Sequence, residues 1–569
     1  MAACLFALGF GRSAAQPRVT ELFQQGLASL HQFEYEDANE AFIKAREIDP
    51  AFVMAYWGEA MTYHQTLWRN ENVAAARQAL ARLAPTPSLR RARTADHQVN
   101  GWLGAVERLF GQGDADARRR QYAEAMAQLY AESPDDPDVG SFYALALLGT
   151  MSRSLIGYTD AHEGHSTALA GSTTQAQVAE ILERVLRSHP EHPGALHYLL
   201  HNQDDPAHAA RALPAARTLA RLAPESSHTR HMPAHIFLQL GLWQDAERSD
   251  ASAFAASEAW VARKRLDPAL RNYHALSWRQ YELLQLGRYR DALATVDVLA
   301  PTVKASGQLN LLSDLSSMRA RYVIEAADWG RMANENNFGN ANELFAIGIS
   351  AANSGGAERA ERVRQGLAER AQDPREGDLR PAIAIMEREV AAVIAHAAGR
   401  ADEAVRMLTE AAQQESQLPA PLGLPAPIKP APELAGEVLL ALGRAREAVP
   451  FFEQALARNP NRSRSVVGLA RAAAAAGDVA AARRHYTALV ENFKEADADL
   501  PLLREARTLL TRTGPQHTAP AGLQSGSYGV IAAAALALAA AAAGVVVWRR
   551  KAGGASPPAR PTARKRKRR

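Results

Sequence analysis

FQQGLASLHQFEYEDANEAFIKAREIDPAFVMAYWGEAMTY, residues 23–63, carries the spacing that decides the fold. Small, aromatic and proline residues stand in it at fixed offsets: Gly26, Tyr35, Ala38, Phe42, Ala45 and Pro50. Small residues let two helices approach closely, aromatic side chains fill the space between them, and a proline ends the second helix. After Pro50 the cycle restarts with Tyr56, Ala60 and Tyr63. The spacing predicts helix–turn–helix units that repeat along the chain.

The same spacing recurs much later in the chain. Its turn and second-helix positions are matched by Gly241, Trp243 and Ala246, by Gly287, Tyr289 and Ala292, by Gly443, Ala448, Phe452 and Pro460, and by Gly477, Ala482 and Tyr486. This pattern closely resembles the tetratricopeptide repeat, a helix–turn–helix unit of about 34 residues. The resemblance implies an all-α solenoid, a superhelix whose concave groove binds a protein or peptide partner. We expect one array over residues 17–413, with irregular units, and further repeat units over residues 433–512.

Proline-rich and polar stretches predict the boundaries between these parts. Residues 416–432, SQLPAPLGLPAPIKPAP, contain six prolines and cannot be helical throughout. We therefore expect a linker over residues 414–432 that separates the long array from the short one. Residues 513–528 are rich in Gly, Ser and Pro and predict a second linker.

Both ends of the chain carry targeting features. Residues 1–15 resemble a secretory signal, with small residues at Ser13 and Ala15 suited to cleavage. Residues 529–548 contain no charged residue, and a helix of this length spans about 30 Å, the hydrocarbon thickness of a bilayer. Residues 549–569 are strongly basic, and basic flanks stay in the cytoplasm. We expect a single-pass membrane protein of a bacterial envelope, with its body periplasmic or otherwise extracytoplasmic and its tail cytoplasmic.

Net charge and cysteine content exclude two classes of function. The net charge of +4 at pH 7 comes from the basic tail, and the rest of the chain is acidic overall. The body therefore has no footprint for nucleic acid. Cys4 is the single cysteine and lies in the signal-like segment, so the mature protein has no disulfide framework and no thiolate metal site.

Histidines cluster in one part of the repeat array. His197 and His201 are four residues apart, and so are His231 and His235. When first helices are counted from their starts, these pairs fall at the fifth and ninth places of successive units. The second places are taken by His228 and His274, and the third unit has Ser277 and Tyr281 at its fifth and ninth places. Places two, five and nine share one helical face, so these side chains are expected on one wall of the groove.

Three interpretations of this histidine face stay open. Two imidazoles at i and i+4 can chelate one ion, and neighbouring helices together supply three or four nitrogens for Zn²⁺, Cu²⁺ or another divalent transition metal. Asp204 and Asp205 follow the first helix and are candidate acceptors for the ligands' second nitrogens. Alternatively, the face binds a peptide, with Ser277 and Tyr281 taking part, or the histidines have a structural role.

Two weaker candidates lie elsewhere. Glu163, in the loop sequence GYTDAHEGHS, is a candidate general base if a metal lies beside it. Trp57, Met61 and His64 mark one face of a first helix and predict either a hydrophobic peptide site or ordinary packing. The favoured function is a membrane-anchored repeat scaffold that binds a protein or peptide. The alternatives are a histidine-cluster metal protein and, less favoured, a metal-dependent hydrolase.

Overall fold

A computed structural model describes residues 16–151, 172–222 and 225–512 of the chain. Its first half contains thirteen α-helices and one two-stranded hairpin, β1 (His64–Gln65) and β2 (Asn70–Glu71). The helices are α1 (Gln16–His31), α2 (Tyr35–Ile48), α3 (Val53–Met61), α4 (Val73–Leu83), α5 (Pro87–Arg91), α6 (His97–Leu109), α7 (Ala115–Glu132), α8 (Pro137–Thr150), α9 (Thr173–Ser188), α10 (Pro193–Asn202), α11 (Ala209–Leu222), α12 (Ser227–Gln239) and α13 (Trp243–Lys264).

The second half of the described chain continues with twelve more α-helices. These are α14 (Tyr273–Gln285), α15 (Tyr289–Ser306), α16 (Leu309–Ala326), α17 (Ala341–Asn353), α18 (Ala357–Gln372), α19 (Arg380–Ala397), α20 (Ala401–Gln417), α21 (Ala431–Ala441), α22 (Ala445–Arg458), α23 (Ser463–Ala476), α24 (Val479–Asn492) and α25 (Pro501–Arg512). Short 3₁₀ helices lie at Pro268–Leu270, Trp329–Arg331 and Pro374–Leu379. The prediction of an all-α helix–turn–helix solenoid is confirmed.

The small and aromatic residues at fixed spacing pack against one another, as the sequence predicts. Phe42 on α2 is fully buried between two glycines, one on each flanking first helix. A β-carbon at Gly26 would lie 2.8 Å from the Phe42 ring, and one at Gly58 would lie 2.5 Å from it. Phe452 repeats this arrangement between Gly436 and Gly468. Glycine is therefore needed where the ring of one repeat fills the gap between successive first helices.

The middle of the array also touches its C-terminal repeats. Gly241 and Gly287 end first helices with φ of +65° and +71°, a left-handed conformation that favours glycine. A β-carbon at Gly241 would lie 2.5 Å from the carbonyl oxygen of Pro460. The indole of Trp243 donates a hydrogen bond to the carbonyl of Asn461 at 2.8 Å. These turns are thus contact points between parts of the chain that lie far apart in sequence.

The predicted linker, residues 414–432, overlaps the ends of two helices. Residues 414–417 still belong to α20, and residues 431 and 432 already belong to α21. Between them Ile428 and Lys429 are buried, and α21 shares an apolar cluster with α16 to α20. The segment therefore does not divide the core, because its own side chains are part of it.

The described residues contain no helix that is long and apolar enough to cross a membrane. The segments predicted as signal, second linker, membrane span and basic tail (residues 1–15, 513–528, 529–548 and 549–569) lie outside the described residues. Glu163 also lies outside them.

Candidate functional site

Site one consists of His197 and His201 on α10 and His228 in the first turn of α12. Their Nε2 atoms converge: His197 and His201 are 3.1 Å apart, His201 and His228 are 3.3 Å apart, and His197 and His228 are 3.0 Å apart. His197 and His201 are buried, whereas His228 is partly exposed. The histidines at the fifth and ninth places of one unit thus contact the histidine at the second place of the next unit.

Site two repeats this construction one unit further along the chain. His231 and His235 on α12 meet His274 on α14, with Nε2 atoms of His231 and His235 2.9 Å apart and those of His231 and His274 3.1 Å apart. The three ligand atoms lie within 4.8 Å of one another. His231 and His235 are buried, and His274 is partly exposed.

These separations suit a tetrahedral metal ion. Zn²⁺ binds imidazole nitrogen at about 2.0–2.1 Å, so two nitrogens at corners of its tetrahedron lie about 3.3–3.4 Å apart. The three Nε2 separations in site one run from 3.0 to 3.3 Å. A point just outside the plane of the three nitrogens is already about 2.0–2.1 Å from each, and only a slight widening is needed to reach tetrahedral angles.

The second ring nitrogens of three ligands bind acceptors. His231 Nδ1 lies 2.5 Å from Asp250 Oδ1, and His235 Nδ1 lies 2.8 Å from Asp204 Oδ2. In site one, His197 Nδ1 lies 2.7 Å from the main-chain carbonyl oxygen of His31. Carbonyl and carboxylate oxygens only accept hydrogen bonds, so each of these Nδ1 atoms carries the hydrogen. This is the arrangement typical of metal-binding histidines.

The fixed hydrogens have an electrostatic consequence in site two. When Nδ1 carries the hydrogen of a neutral imidazole, Nε2 presents a lone pair. A hydrogen on either Nε2 makes this 2.9 Å contact a hydrogen bond, whereas with both imidazoles neutral His231 and His235 direct two lone pairs at each other. A positive ion between them removes this repulsion.

Aromatic side chains surround both sites. In site one, the Phe33 ring centroid lies 4.5 Å from that of His197, and the Trp68 centroid lies 5.3 Å from that of His228. In site two, Trp278 lies beside all three imidazoles. Such apolar walls exclude water and hold the rings in place.

A third group, His31, Asp138 and His192, also brings ligand-type atoms together. Here the nitrogens already bind protein groups: His31 Nε2 and His192 Nε2 lie 2.8 and 3.2 Å from Asp138 Oδ1. His192 also caps α10, because its Nδ1 accepts the Ala195 N–H at 3.1 Å. Since Nδ1 is an acceptor, His192 Nε2 carries the hydrogen and has no lone pair for a metal. We interpret this third group as a structural hydrogen-bond cluster.

Burial sets the charge states in the third group. Burial lowers the pKa of His31 and keeps its imidazole neutral, although Asp138 acts in the opposite direction. Burial also opposes ionisation of Asp138, but hydrogen bonds from His192 and His31 outweigh it and hold the pKa of that carboxyl below its usual range. The cluster is therefore an ionised carboxylate bound by two imidazole N–H groups.

The residues predicted to bind a partner in the groove are buried instead. Trp57, Met61 and His64 are each at most 3% exposed, and Trp57 packs edge-on against the aromatic ring of Trp102. Ser277 accepts hydrogen bonds from Arg321 through its hydroxyl and carbonyl oxygens. Tyr281 accepts a hydrogen bond from Arg462 at 3.1 Å. All five side chains are therefore buried in this structure, and partner binding by them stays a prediction.

The structure brings the six predicted histidines together in a different grouping, and metal binding by them stays a prediction. The sequence places all six on one wall, and the structure brings all six into clusters. However, the two i, i+4 pairs do not combine, because each pair instead meets the second-place histidine of the next helix. Asp204 binds a ligand histidine as expected, whereas Asp205 binds His208.

Sequence reasoning missed several groups around the clusters. Asp250 lies on α13, at a place where the repeat pattern expects a packing residue, and that mismatch is the signal that marks it. The contributions of Phe33, Trp278 and the His31 carbonyl depend on how distant helices pack, and local spacing gives no sign of them.

Together, fold and site show a helical repeat protein in which six histidines form two three-nitrogen clusters. Residues 439–506 match the sequence profile of the tetratricopeptide repeat family. The comparison with curated proteins gives no match.

Three solved structures among those similar to this chain show how distant the likeness is. A tetratricopeptide repeat protein from Parabacteroides merdae is 13% identical, with a TM-score of 0.28, over 50% of this chain and 98% of its own. Yeast Tom70 is 11% identical, with a TM-score of 0.22, over 87% and 90% of the two chains. The APC/C hetero-tetramer Cut9–Hcn1 is 11% identical, with a TM-score of 0.27, over 87% and 96%. TM-scores this low carry no argument about function.

Proposed function

We propose that the protein binds transition-metal ions at site one and site two, on a tetratricopeptide-type scaffold. The observation that carries the proposal is the convergence of three Nε2 atoms at 3.0, 3.1 and 3.3 Å in site one. Site two repeats the arrangement with different residues, and carboxylates bind the Nδ1 atoms of two of its ligands. A construction that recurs in successive repeats is better explained by a shared ligand than by incidental packing.

The imidazole ligands favour a transition-metal ion that is borderline between hard and soft. Imidazole nitrogen suits Zn²⁺, Cu²⁺, Ni²⁺ and Fe²⁺, whereas Mg²⁺ and Ca²⁺ prefer oxygen ligands. In site two, the charges of Asp204 and Asp250 balance a divalent cation. Zinc and copper are therefore the ions to test first.

The two sites hold separate ions. His228 and His231 are three residues apart on α12, yet they contribute to different sites. Each site lies between successive first helices, and packed helices are about 8–10 Å apart. Two-metal hydrolases need ions about 3.5–4 Å apart. The spacing favours two mononuclear sites over a two-metal hydrolase.

Metal analysis of the full-length chain, purified without a histidine tag, tests this function. We expect about two Zn²⁺ or Cu²⁺ ions per chain after equilibration and removal of excess metal. Replacing His197 and His201 with Ala removes one ion, and replacing His231 and His235 removes the other. His97→Ala is the matched control, because this side chain is 85% exposed and outside both sites. A metal content far below one per chain, unchanged by the four substitutions, would contradict the proposal.

Protein binding remains the second proposed role, since repeat scaffolds of this type typically bind proteins. Because the five proposed groove residues are buried, the partner is expected on other surfaces of the solenoid. Cross-linking in membranes followed by purification tests this role. Failure to recover any reproducible partner would count against it.

We also propose that residues 529–548 anchor the protein, with its body extracytoplasmic and its basic tail cytoplasmic. The support is the uncharged segment and the basic residues that follow it. Protease added outside intact spheroplasts should remove the body and leave the tail. Protection of the body would contradict this topology.

A further inference from the structure

Trp278 lies against all three ligands of site two. Its ring centroid is 4.3 Å from that of His235, 5.0 Å from that of His231 and 5.3 Å from that of His274. Trp278 follows His274 by four residues on α14, so the two side chains share one face of that helix. The indole is only 5% exposed and fills the space beside the imidazoles.

The proline-rich strap (residues 418–430) lies on the other side of this indole. A β-carbon at Gly423 would lie 2.6 Å from Cζ2 of Trp278, so the strap backbone touches the ring directly. Leu424 packs against the same apolar cluster as Trp278. The indole is thus held between the strap and the histidines.

Hydrogen bonds fix the strap in this position. Gln239 Nε2 donates to the carbonyl oxygen of Pro421 at 3.1 Å, and Gln239 follows His235 by four residues on α12. Arg458 on α22 donates to the carbonyl oxygen of Leu418 at 3.0 Å and also to that of Pro419. The strap therefore bridges the helix that carries two ligands of site two and the C-terminal repeats.

We infer that the strap and Trp278 form a back wall that positions the three histidines of site two for metal binding. Trp278 is a positioning residue, and Gly423 is the contact that keeps its ring in place. This inference rests on the proposed metal function. The wall serves site two selectively, because site one has its own aromatic contacts, Phe33 and Trp68.

The wall works by limiting ring rotation. An imidazole in a metal site must keep both its position and its orientation, and outer groups that fix it typically contribute about 10- to 100-fold in affinity. Without the indole, His231, His235 and His274 gain space to rotate away from the ion. A larger residue at Gly423 pushes the indole towards the same three rings, because a β-carbon below 3.0 Å forces a shift. Both changes should weaken metal binding and alter its geometry.

The experiment uses the full-length chain with both His197→Ala and His201→Ala, so that site two alone binds Cu²⁺. Affinity is measured by competition with a chelator, and geometry by the electron paramagnetic resonance spectrum of bound Cu²⁺. We expect Trp278→Ala and Gly423→Val each to weaken Cu²⁺ binding by about tenfold or more and to change the spectrum. Trp278→Phe should restore most of the affinity, because a flat ring again fills the space.

Two controls separate positioning from loss of fold. Gly104→Val adds the same side chain where a β-carbon meets nothing within 4 Å, and it should leave site two unchanged. With His197 and His201 restored, the Gly423→Val chain should still bind one Cu²⁺ at site one.

The possible failures are distinguishable. If the unmodified chain binds no Cu²⁺, the proposed function itself fails. If site two binds Cu²⁺ equally well, with the same spectrum, in Trp278→Ala and Gly423→Val, the inference is overturned and the function stands. Equal loss of Cu²⁺ binding at site one and site two in Gly423→Val would also overturn the inference that the wall positions site two alone.

Discussion

Asp250→Asn tests how much a buried carboxylate contributes to the metal affinity of site two. The Asp250 carboxylate is fully buried and accepts the hydrogen of His231 Nδ1 across 2.5 Å. Asparagine keeps nearly the same shape and an accepting oxygen but removes the negative charge. A carboxylate partner raises the basicity of a ligand imidazole, and losing such a partner costs about 10- to 100-fold in metal affinity. That loss corresponds to about 1.4–2.7 kcal/mol of binding free energy.

Competition between the protein and a coloured zinc chelator measures this loss for each site. The expected result is a drop of this size for one of two Zn²⁺ ions, with the other ion bound as before. Asp245→Asn is the matched control, because Asp245 also lies on α13 but binds Arg248 rather than a ligand histidine. Unchanged affinity at both sites, or an equal loss at both, would refute the reasoning.

Three further predictions concern the fold. Lowering the pH from 7 to about 2.5 should reduce the free energy of unfolding. Folding lowers the pKa values of His31 and Asp138, so the unfolded state takes up protons first, on His31 below about pH 6.5 and on Asp138 below about pH 4. Phe42→Ala should cost about 3–5 kcal/mol, because the ring is fully buried. Arg462→Met should cost about 3–5 kcal/mol, because it removes the guanidinium that pairs with the buried Glu325 and Glu433 and leaves only Lys429 beside Glu433.

Denaturant unfolding followed by circular dichroism measures all three. Asp138→Asn should flatten the part of the pH dependence that lies below about pH 4, the usual range of an aspartate. Phe338→Ala and Arg375→Met, at exposed positions, should stay within about 0.5 kcal/mol of the unmodified chain. Stability that does not fall with pH, or losses as small as those of the controls, would contradict these interpretations.

Local spacing predicts the repeat unit well because its determinants are close in sequence. The contact of Phe42 with Gly26 and Gly58 is set within one and a half repeats, and the sequence shows all three residues. The histidine face follows from the same frame, since places two, five and nine of one helix must share a side.

The grouping of the histidines was not predictable from spacing alone. Whether the pair His197 and His201 meets His228 or the pair His231 and His235 depends on how far α12 is shifted along α10, and this shift results from packing over many repeats. The same holds for the strap, whose prolines indicate a break in helix but not that Gly423 contacts Trp278. Ser277 and Tyr281 share the predicted face, yet Arg321 and Arg462 from distant helices bury them.

The most direct test of the two metal sites is anomalous diffraction at the zinc absorption edge from crystals of the zinc-loaded chain. The account predicts two peaks per chain, one in each site, each about 2.0–2.1 Å from three Nε2 atoms. It also predicts no peak at His31, Asp138 and His192. Absence of peaks at both sites, or one ion shared between the two histidine pairs on α10 and α12, would contradict it.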